Sequence, residues 1–329
     1  MFAEAIESIL AHHCTPTAVR AIEGGASSQA LAAAIGEAEF LELLAAEEHG
    51  GGGAGWRDFH AVVSLCGAYA VPLPLAQTLA ARAIAADPQQ LPQGLISFAP
   101  ALGQEPHGSQ QALHVPAART ATHVIAWGGD ALILLPTAEA QLTPSGVHAS
   151  LTASLRWHAG AGRPLAGTVD AAGFQSLGAL LHAGLLAGAM KRVFDLTLGY
   201  ANERVQFGKS IGKFQAIQHQ LSVMAENVAA ARMAAEAAFG SGGGEQPALA
   251  ACAVAKARTS EAAQLVASIA HAVHGAIGVT EEYDLQLYTR RLHEWRLAHG
   301  SEAYWHRVLG RLFVESRQPL AVDFVRSLC

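Results

Sequence analysis

Residues 200–215 read Tyr-Ala-Asn-Glu-Arg-Val-Gln-Phe-Gly-Lys-Ser-Ile-Gly-Lys-Phe-Gln and join two long stretches with helical periodicity. The stretch before them predicts a helix over about 170–199, and the stretch after them predicts a helix over about 212–238. Two glycines punctuate the segment, so the chain is expected to turn there. Arg204, near free N–H groups at a helix start, is a natural seat for a phosphate or pyrophosphate; a plain surface arginine at a helical corner is the alternative.

The rest of the chain predicts a mainly α protein with a small β domain. Long helices with short links form antiparallel bundles, which is the architecture expected for the C-terminal part. Further helices are predicted there at about 246–274, 281–298 and 301–316. The N-terminal part has helical spacing at 3–10, 37–48, 56–69 and 75–86. Short strand candidates lie between, at 95–98, 114–115, 123–127 and 131–135.

These patterns divide the chain into three predicted domains. Residues 1–92 are predicted to form an N-terminal helical domain, and residues 166–329 a C-terminal helical bundle. Between them, residues 93–165 are predicted to form a reduced β domain, which is a short sheet or a partial barrel. A chain of 329 residues is long enough for two or three domains with a substantial core.

Composition excludes several classes of protein. The net charge of −6 gives no reason to expect nucleic-acid binding. The four cysteines, at 14, 66, 252 and 329, are scattered without metal-ligand spacing, so no metal is expected and they are interpreted as buried or free thiols in a reducing cytoplasm. The N-terminus carries acidic residues where a signal peptide has basic ones, and no uninterrupted apolar run of about 18 residues is evident. A cytoplasmic protein without membrane contact is therefore predicted.

Two motifs carry a family resemblance. The first is Arg204-x-x-Phe207-Gly208 followed by Phe214-Gln215, and the second is His-Gly-Ala-Ile-Gly-Val-Thr-Glu-Glu-Tyr-Asp at 274–284. In this order they closely resemble the acyl-CoA dehydrogenase family, flavoproteins that desaturate acyl-CoA thioesters. The short β region resembles the short bacterial type, found as subunits of heteromeric acyl-CoA dehydrogenases.

The resemblance implies FAD as cofactor and assigns positions to it. Arg204, Gln206 and Phe207 would contact the ADP portion of FAD across a dimer interface, and Phe214 and Gln215 would line the same region. His274, Gly275 and Ala276 of the second motif would approach the pyrophosphate. Ser301 would lie at a contact with the flavin.

The catalytic base is where the sequence departs from the family. The family's glutamate, which removes the α-proton, aligns with His299 in the turn His299-Gly300-Ser301. Its alternative position aligns with Gly178, which has no side chain. An imidazole has a suitable pKa to accept a proton near neutral pH, so His299 and His182 are candidate bases, and Glu302, three residues past His299, is a third candidate. A structural role for His299 in capping its turn is the other interpretation.

Three functional hypotheses follow. In the first, the chain is a subunit of an FAD-dependent acyl-CoA dehydrogenase of lipid metabolism, an oxidoreductase acting on CH–CH bonds. It lacks its own glutamate and completes a shared FAD site with a related chain in a heterotetramer. In the second, it is a self-sufficient homodimer that uses His299 or His182. In the third, it is a flavin-free scaffold. An acyl-CoA substrate and an electron-transfer flavoprotein are the other expected partners.

Overall fold

The computed structural model describes residues 2–38, 40–105, 108–242 and 246–327. The chain divides into two compact units. One consists of Met1–Val62 and Val71–Leu181, and the other of Val63–Ala70 and His182–Cys329. The predicted domain boundaries at 92 and 165 stay predictions.

The described residues of the N-terminal region form five α-helices. They are α1 (Phe2–His13), α2 (Pro16–Glu23), α3 (Gln29–Glu37), α4 (Trp56–Ala68) and α5 (Leu75–Ile84). The start of α2 follows the usual chemistry of helix N-termini, because the hydroxyl of Thr15 accepts a hydrogen bond from the N–H of Ala18 and a proline follows at the first position.

The helix predicted over 37–48 is wrong. Helix α3 ends at Glu37, and the following chain forms two short 3₁₀ turns, Phe40–Glu42 and Glu47–His49. The glycine run folds back on this segment, and its N–H groups bond to carbonyls that a helix would have used. The N–H of Gly52 donates to the carbonyl of Glu42 at 2.9 Å, for example. A Cβ at Gly51 would lie 2.1 Å from the carbonyl oxygen of Ala45, so this close approach requires glycine.

The β region forms two four-stranded sheets, with a shared core of small and branched residues around Trp157. One sheet has the order β1-β4-β5-β8, with β1 (Ile96–Phe98) parallel to β4 (His123–Gly128), β5 (Ala131–Pro136) antiparallel to β4, and β8 (Arg163–Leu165) antiparallel to β5. The other is antiparallel with the order β2-β3-β7-β6, formed by Gly103–Gln104, Gln110–Val115, Ala153–Trp157 and Gln141–Pro144. The four predicted strands are therefore present, and β2, β6, β7 and β8 join them.

Helices dominate the remainder of the chain. They are α6 (Ala171–Glu203), α7 (Gln215–Phe239), α8 (Leu249–His274), α9 (Leu285–Trp295), α10 (Glu302–Ser316) and α11 (Ala321–Arg326). Helices α4 and α6 approach closely through glycines. A Cβ at Gly188 would lie 1.8 Å from the carbonyl oxygen of Ser64, and one at Gly67 would lie 2.0 Å from that of Leu185. The fold class predicted from the sequence, mainly α with a small β domain, is confirmed.

Among the residues that the structure describes, two helical segments are long and apolar enough to cross a membrane by length and composition alone, Ala171–Glu203 and Leu249–Val279. Buried helices of globular proteins meet the same criteria, and 83% of the apolar window in the first is buried within the protein. The predicted localisation stays a prediction. Cys14, Cys66 and Cys252 are buried thiols, and Cys329 lies outside the described residues.

Candidate active site

The motif at Arg204 forms a tight two-residue hairpin. Helix α6 ends at Glu203, and strands β9 (Val205–Gln206) and β10 (Lys209–Ser210) then pair antiparallel. The two turn residues have positive φ angles, 51° at Phe207 and 78° at Gly208, as a type I′ turn requires. The chain therefore reverses without a long loop, and a 3₁₀ turn leads directly into α7.

The hairpin is exposed along its length. Phe207 is 92% exposed at the tip, Gln206 is exposed next to it, and Arg204 is exposed at the base of the hairpin. Phe214, the N-cap residue of α7, lies edge-on to Phe207 at 6.2 Å between ring centroids, and the ammonium of Lys209 lies 4.3 Å from the Phe214 ring. Gln215 is the first residue of α7. The surface combines cationic and aromatic groups at a helix start, which suits an anion next to a planar group.

The second motif forms a glycine turn at the end of α8. Gly275 has a φ of 65°, and its N–H donates to the carbonyl of His271. A 3₁₀ turn over Gly275–Val279 follows, in which Ala276 is exposed. A Cβ at Gly278 would lie 3.0 Å from Cβ of His274, so the turn packs tightly against the end of the helix.

An aromatic cluster brings the two motifs together. The ring of Tyr200, just before the hairpin, stacks on the imidazole of His274 with centroids 4.4 Å apart, and Tyr283 lies 5.2 Å from His274. The Tyr200 hydroxyl donates to the carbonyl of His274 at 3.4 Å. These contacts join chain segments that lie 74 residues apart in the sequence.

The buried His274 ring has one defined hydrogen bond. Its Nδ1 lies 2.8 Å from the carbonyl of Ala270, which only accepts, so Nδ1 carries the proton in the neutral ring. Nε2 is buried and has no hydrogen-bond partner among the described residues. Burial lowers the pKa of His274, and the Ala270 hydrogen bond opposes this effect. The neutral ring therefore keeps its acceptor nitrogen, Nε2, buried at the end of α8.

The predicted base turn brings the two candidate histidines together. His182 on α6 and His299 before α10 are both buried, and their ring centroids lie 5.2 Å apart. His299 has a φ of 52°, an uncommon value outside glycine, and Gly300 follows at 100°. The indole N–H of Trp305 donates to the carbonyl of His299 at 3.0 Å, which fixes the turn from the side of α10.

Two further residues of the turn have defined positions. Ser301 is the N-cap residue of α10, and its carbonyl accepts from the N–H of Trp305. Glu302, the carboxylate nearest to the turn in sequence, forms an ion pair with Arg296. Burial raises the pKa of Glu302, but the hydrogen bond and charge of Arg296 outweigh this and lower it overall. This carboxylate is thus ionised and engaged.

Sequence reasoning missed Lys256. Its ammonium is fully buried and lies within 3.2 Å of four oxygen acceptors: the hydroxyl of Ser260 and the carbonyls of Trp295, Arg296 and Gly300. Burial lowers its pKa to about 7, and the charge of Glu302 opposes this lowering. In the Ala-rich sequence of α8 a lysine resembles a surface residue, and no sequence signal identified the carbonyls that surround it.

The candidate residues therefore form two clusters. The hairpin cluster contains the Arg204 motif and the glycine turn, and the base-turn cluster contains His299, His182 and Lys256. Helix α8 contributes one residue to each cluster, His274 to the hairpin cluster and Lys256 to the base-turn cluster. These two residues are separated by about 27 Å along the helix axis at 1.5 Å per residue. An elongated ligand suits two sites at this separation better than a compact one.

Comparisons with known proteins agree with this architecture. Residues 167–312 match the domain described as "Acyl-CoA dehydrogenase, C-terminal domain". The chain is 31% identical over 294 residues to acyl-CoA dehydrogenase IpdE2 of Mycolicibacterium smegmatis, covering 88% of this chain and 90% of the relative.

Solved structures share the fold along nearly the full length. One is the ChsE4-ChsE5 complex from Mycobacterium tuberculosis, with a TM-score of 0.83 at 20% identity, covering 97% of each chain. Another is the Tcur3481-Tcur3483 steroid ACAD, with a TM-score of 0.83 at 21% identity, covering 95% of this chain and 97% of the other. With a relative of this identity and coverage, and a matching C-terminal domain, the chain belongs to the acyl-CoA dehydrogenase family.

Proposed function

We propose that this chain is a subunit of an FAD-dependent acyl-CoA dehydrogenase that has no catalytic glutamate of its own and completes a shared FAD site with a related partner chain. The reaction removes an α-proton and a β-hydride from an acyl-CoA thioester and leaves an α,β-double bond. FAD supplies the hydride acceptor when bound. The partner supplies the base in this scheme, and this chain supplies groups that bind and orient the cofactor.

The single observation that carries the proposal is that no carboxylate occupies either position that aligns with the family's catalytic glutamate. A buried imidazole, His299, occupies the position that aligns with the family's glutamate, and Gly178 at the alternative position has no side chain. Glu302 is committed to Arg296. A dehydrogenase needs a group that is free to take the α-proton, and neither family position offers a carboxylate here.

The exposed hairpin supports a site shared between chains. A phenylalanine that is 92% exposed leaves most of its apolar surface in water, and burial against a partner chain removes this cost. Arg204 and Gln206 at the same hairpin offer a guanidinium and an amide to a pyrophosphate held at that interface. We therefore expect the hairpin to reach the FAD bound at the partner's ring pocket.

The residues of the hairpin cluster fit the ADP part of FAD. Arg204 offers a charge to the phosphates, and the glycine turn at Gly275 and Ala276 leaves room for close approach of a ligand to the backbone, since a Cβ at Gly275 meets nothing within 4 Å. Phe214 and Gln215 line the helix start beside it. Ser301 lies with the base turn, where we place the flavin ring end.

The relatives support the partner and the substrate class. The ChsE4-ChsE5 structure is a complex of two differently named chains, and the Tcur3481-Tcur3483 protein is a steroid ACAD. A heterotetramer with a related chain is therefore the assembly we propose, with an electron-transfer flavoprotein as electron acceptor. Bulky steroid-derived acyl-CoA thioesters are the first substrates to assay.

Separate and joint expression tests the proposal. This chain alone is expected to show no acyl-CoA turnover, and co-expression with a related chain that carries the glutamate is expected to give a yellow, active complex. Full turnover by this chain alone would overturn the shared-site proposal. A colourless, inactive complex would favour a scaffold without flavin.

A second function is favoured by the histidine pair. His182 and His299 place two buried imidazoles 5.2 Å apart, imidazole is a common general base, and a homodimer that uses His299 or His182 as base needs no partner chain. Turnover by the purified homodimer that is lost on replacing both histidines would identify this case.

A further inference from the structure

Lys256 is a buried charge that the proposed reaction does not use. Lysine is almost never fully buried unless its ammonium is paired, and this one has no exposed surface. It lies on α8, well inside the helix rather than at an end. A charge that is costly to bury needs hydrogen bonds that compensate for the lost hydration.

Its hydrogen bonds converge on the link between α9 and α10. Nζ donates to the carbonyls of Trp295, Arg296 and Gly300 at 3.2, 2.7 and 3.0 Å. The fourth acceptor, the hydroxyl of Ser260, lies one turn further along α8 and itself donates to the carbonyl of Arg296. The ammonium is thus hydrogen-bonded to both ends of the 295–300 segment and holds them at one point on α8.

His299 lies inside the tied segment. It precedes Gly300 directly and has a φ of 52°, which is unfavourable for a residue with a Cβ. Such a conformation persists only when its surroundings determine it, and Lys256 on one side and the Trp305 indole on the other do so. The same conformation sets the His299 ring beside His182.

We propose that Lys256 is a positioning residue that holds the 295–300 turn against α8 and thereby keeps the His299 imidazole packed on His182. It acts through the turn, and it does not touch the reacting atoms. Any effect of the turn on catalytic turnover rests on the proposed function. The positioning of the turn by Lys256 does not depend on that function.

The test compares the local accessibility of two buried histidines in the full-length chain. The variant Lys256→Met keeps the length of the side chain and removes its charge and donors. Lys191→Met is the matched control, because Lys191 is a partly exposed lysine that pairs with Asp195 on the surface of α6. Diethyl pyrocarbonate modification is followed at His299 and at His274 by peptide mass spectrometry.

If Lys256 holds the turn, Lys256→Met speeds modification of His299 by about tenfold or more, the effect of losing charged hydrogen bonds on local opening, and leaves His274 and the control unchanged. Equal acceleration at His299 and His274 would mean that Lys256 contributes only to global stability and would overturn the proposal, as would an unchanged rate at His299.

A second measurement covers the case in which Lys256→Met does not fold. Amide hydrogen exchange of the unaltered chain is measured at Arg296 and Leu297, which lie in the 295–300 turn and whose N–H groups donate to the carbonyls of Leu292 and Glu294. The proposal expects slow exchange there, close to that of α8, and exchange as fast as in an exposed loop would overturn it. Neither readout needs flavin or a partner chain, so failure of the positioning and failure of the proposed function are distinguishable.

Discussion

The imidazoles of His182 and His299 lie 5.2 Å apart, with ring planes tilted by 33°, and both side chains are buried. Helix α6 supplies one ring, and the turn before α10 supplies the other. We propose that His299 stands at the position of the family's catalytic glutamate, so the role of the pair decides between a shared and a self-sufficient site.

Replacing both histidines tests that role. His182→Gln keeps a polar side chain of similar reach, and His299→Asn is chosen because asparagine tolerates the positive φ angle. Because the partner supplies the base in our account, the assembled enzyme is expected to keep its kcat. A loss of about 10²–10⁴-fold, typical of removing a general base, would assign the proton transfer to this chain.

The exposed hairpin gives a second prediction. Arg204→Gln is expected to weaken FAD binding in the assembled protein by about tenfold or more through loss of a charged contact, while thermal stability of the isolated chain is unchanged because Arg204 is exposed. Phe207→Ala is expected to weaken association with the partner. Met233→Ala, at a 70% exposed residue of α7, is the control for loss of an exposed apolar group. FAD affinity and association with the partner are measured for all three variants. If Met233→Ala lowers both quantities as much as the two hairpin variants do, the assignment of the hairpin to the shared site is contradicted.

Much of the hairpin was predictable, and the base-turn cluster was less so. The motif at Arg204 and its glycines predicted a turn between two helices, because glycine and helical periodicity are local signals. His182 and His299 were each predicted as candidates, but that they meet depends on how α6 packs. The environment of Lys256 was not predictable, since three of its four partners are backbone carbonyls, which every residue has. The helix predicted over 37–48 failed because the glycine run competes for its carbonyls.

The glycines between α4 and α6 give a prediction about packing. Gly188→Ala places a Cβ 1.8 Å from the carbonyl of Ser64, so the helices must separate, and the free energy of unfolding is expected to fall by about 1–3 kcal/mol or more. Gly199→Ala on the same helix meets nothing within 4 Å and is expected to raise it by about 0.4–1 kcal/mol. Urea unfolding measures both, and a similar loss for the two variants would point to helix α6 itself rather than to the contact.

Stability is expected to depend on pH through the buried histidines. Burial lowers the pKa of His274 and of His271 below the ordinary value of 6.5. The unfolded chain therefore binds more protons than the folded chain as the pH falls through about 6.5, and the free energy of unfolding decreases below pH 7. The free energy of unfolding is measured by urea unfolding at several pH values. It is expected to change less steeply with pH in His274→Gln than in the exposed control His158→Gln. Identical slopes would show that His274 is not involved.

The measurement that tests the central claim most directly is the flavin-to-protein ratio, from visible absorbance, of this chain purified alone and together with a related chain that carries the missing glutamate. Our account predicts little or no flavin on the isolated chain and a stoichiometric amount in the complex. One flavin per chain in the isolated protein would contradict the shared site and make His299 the first residue to replace.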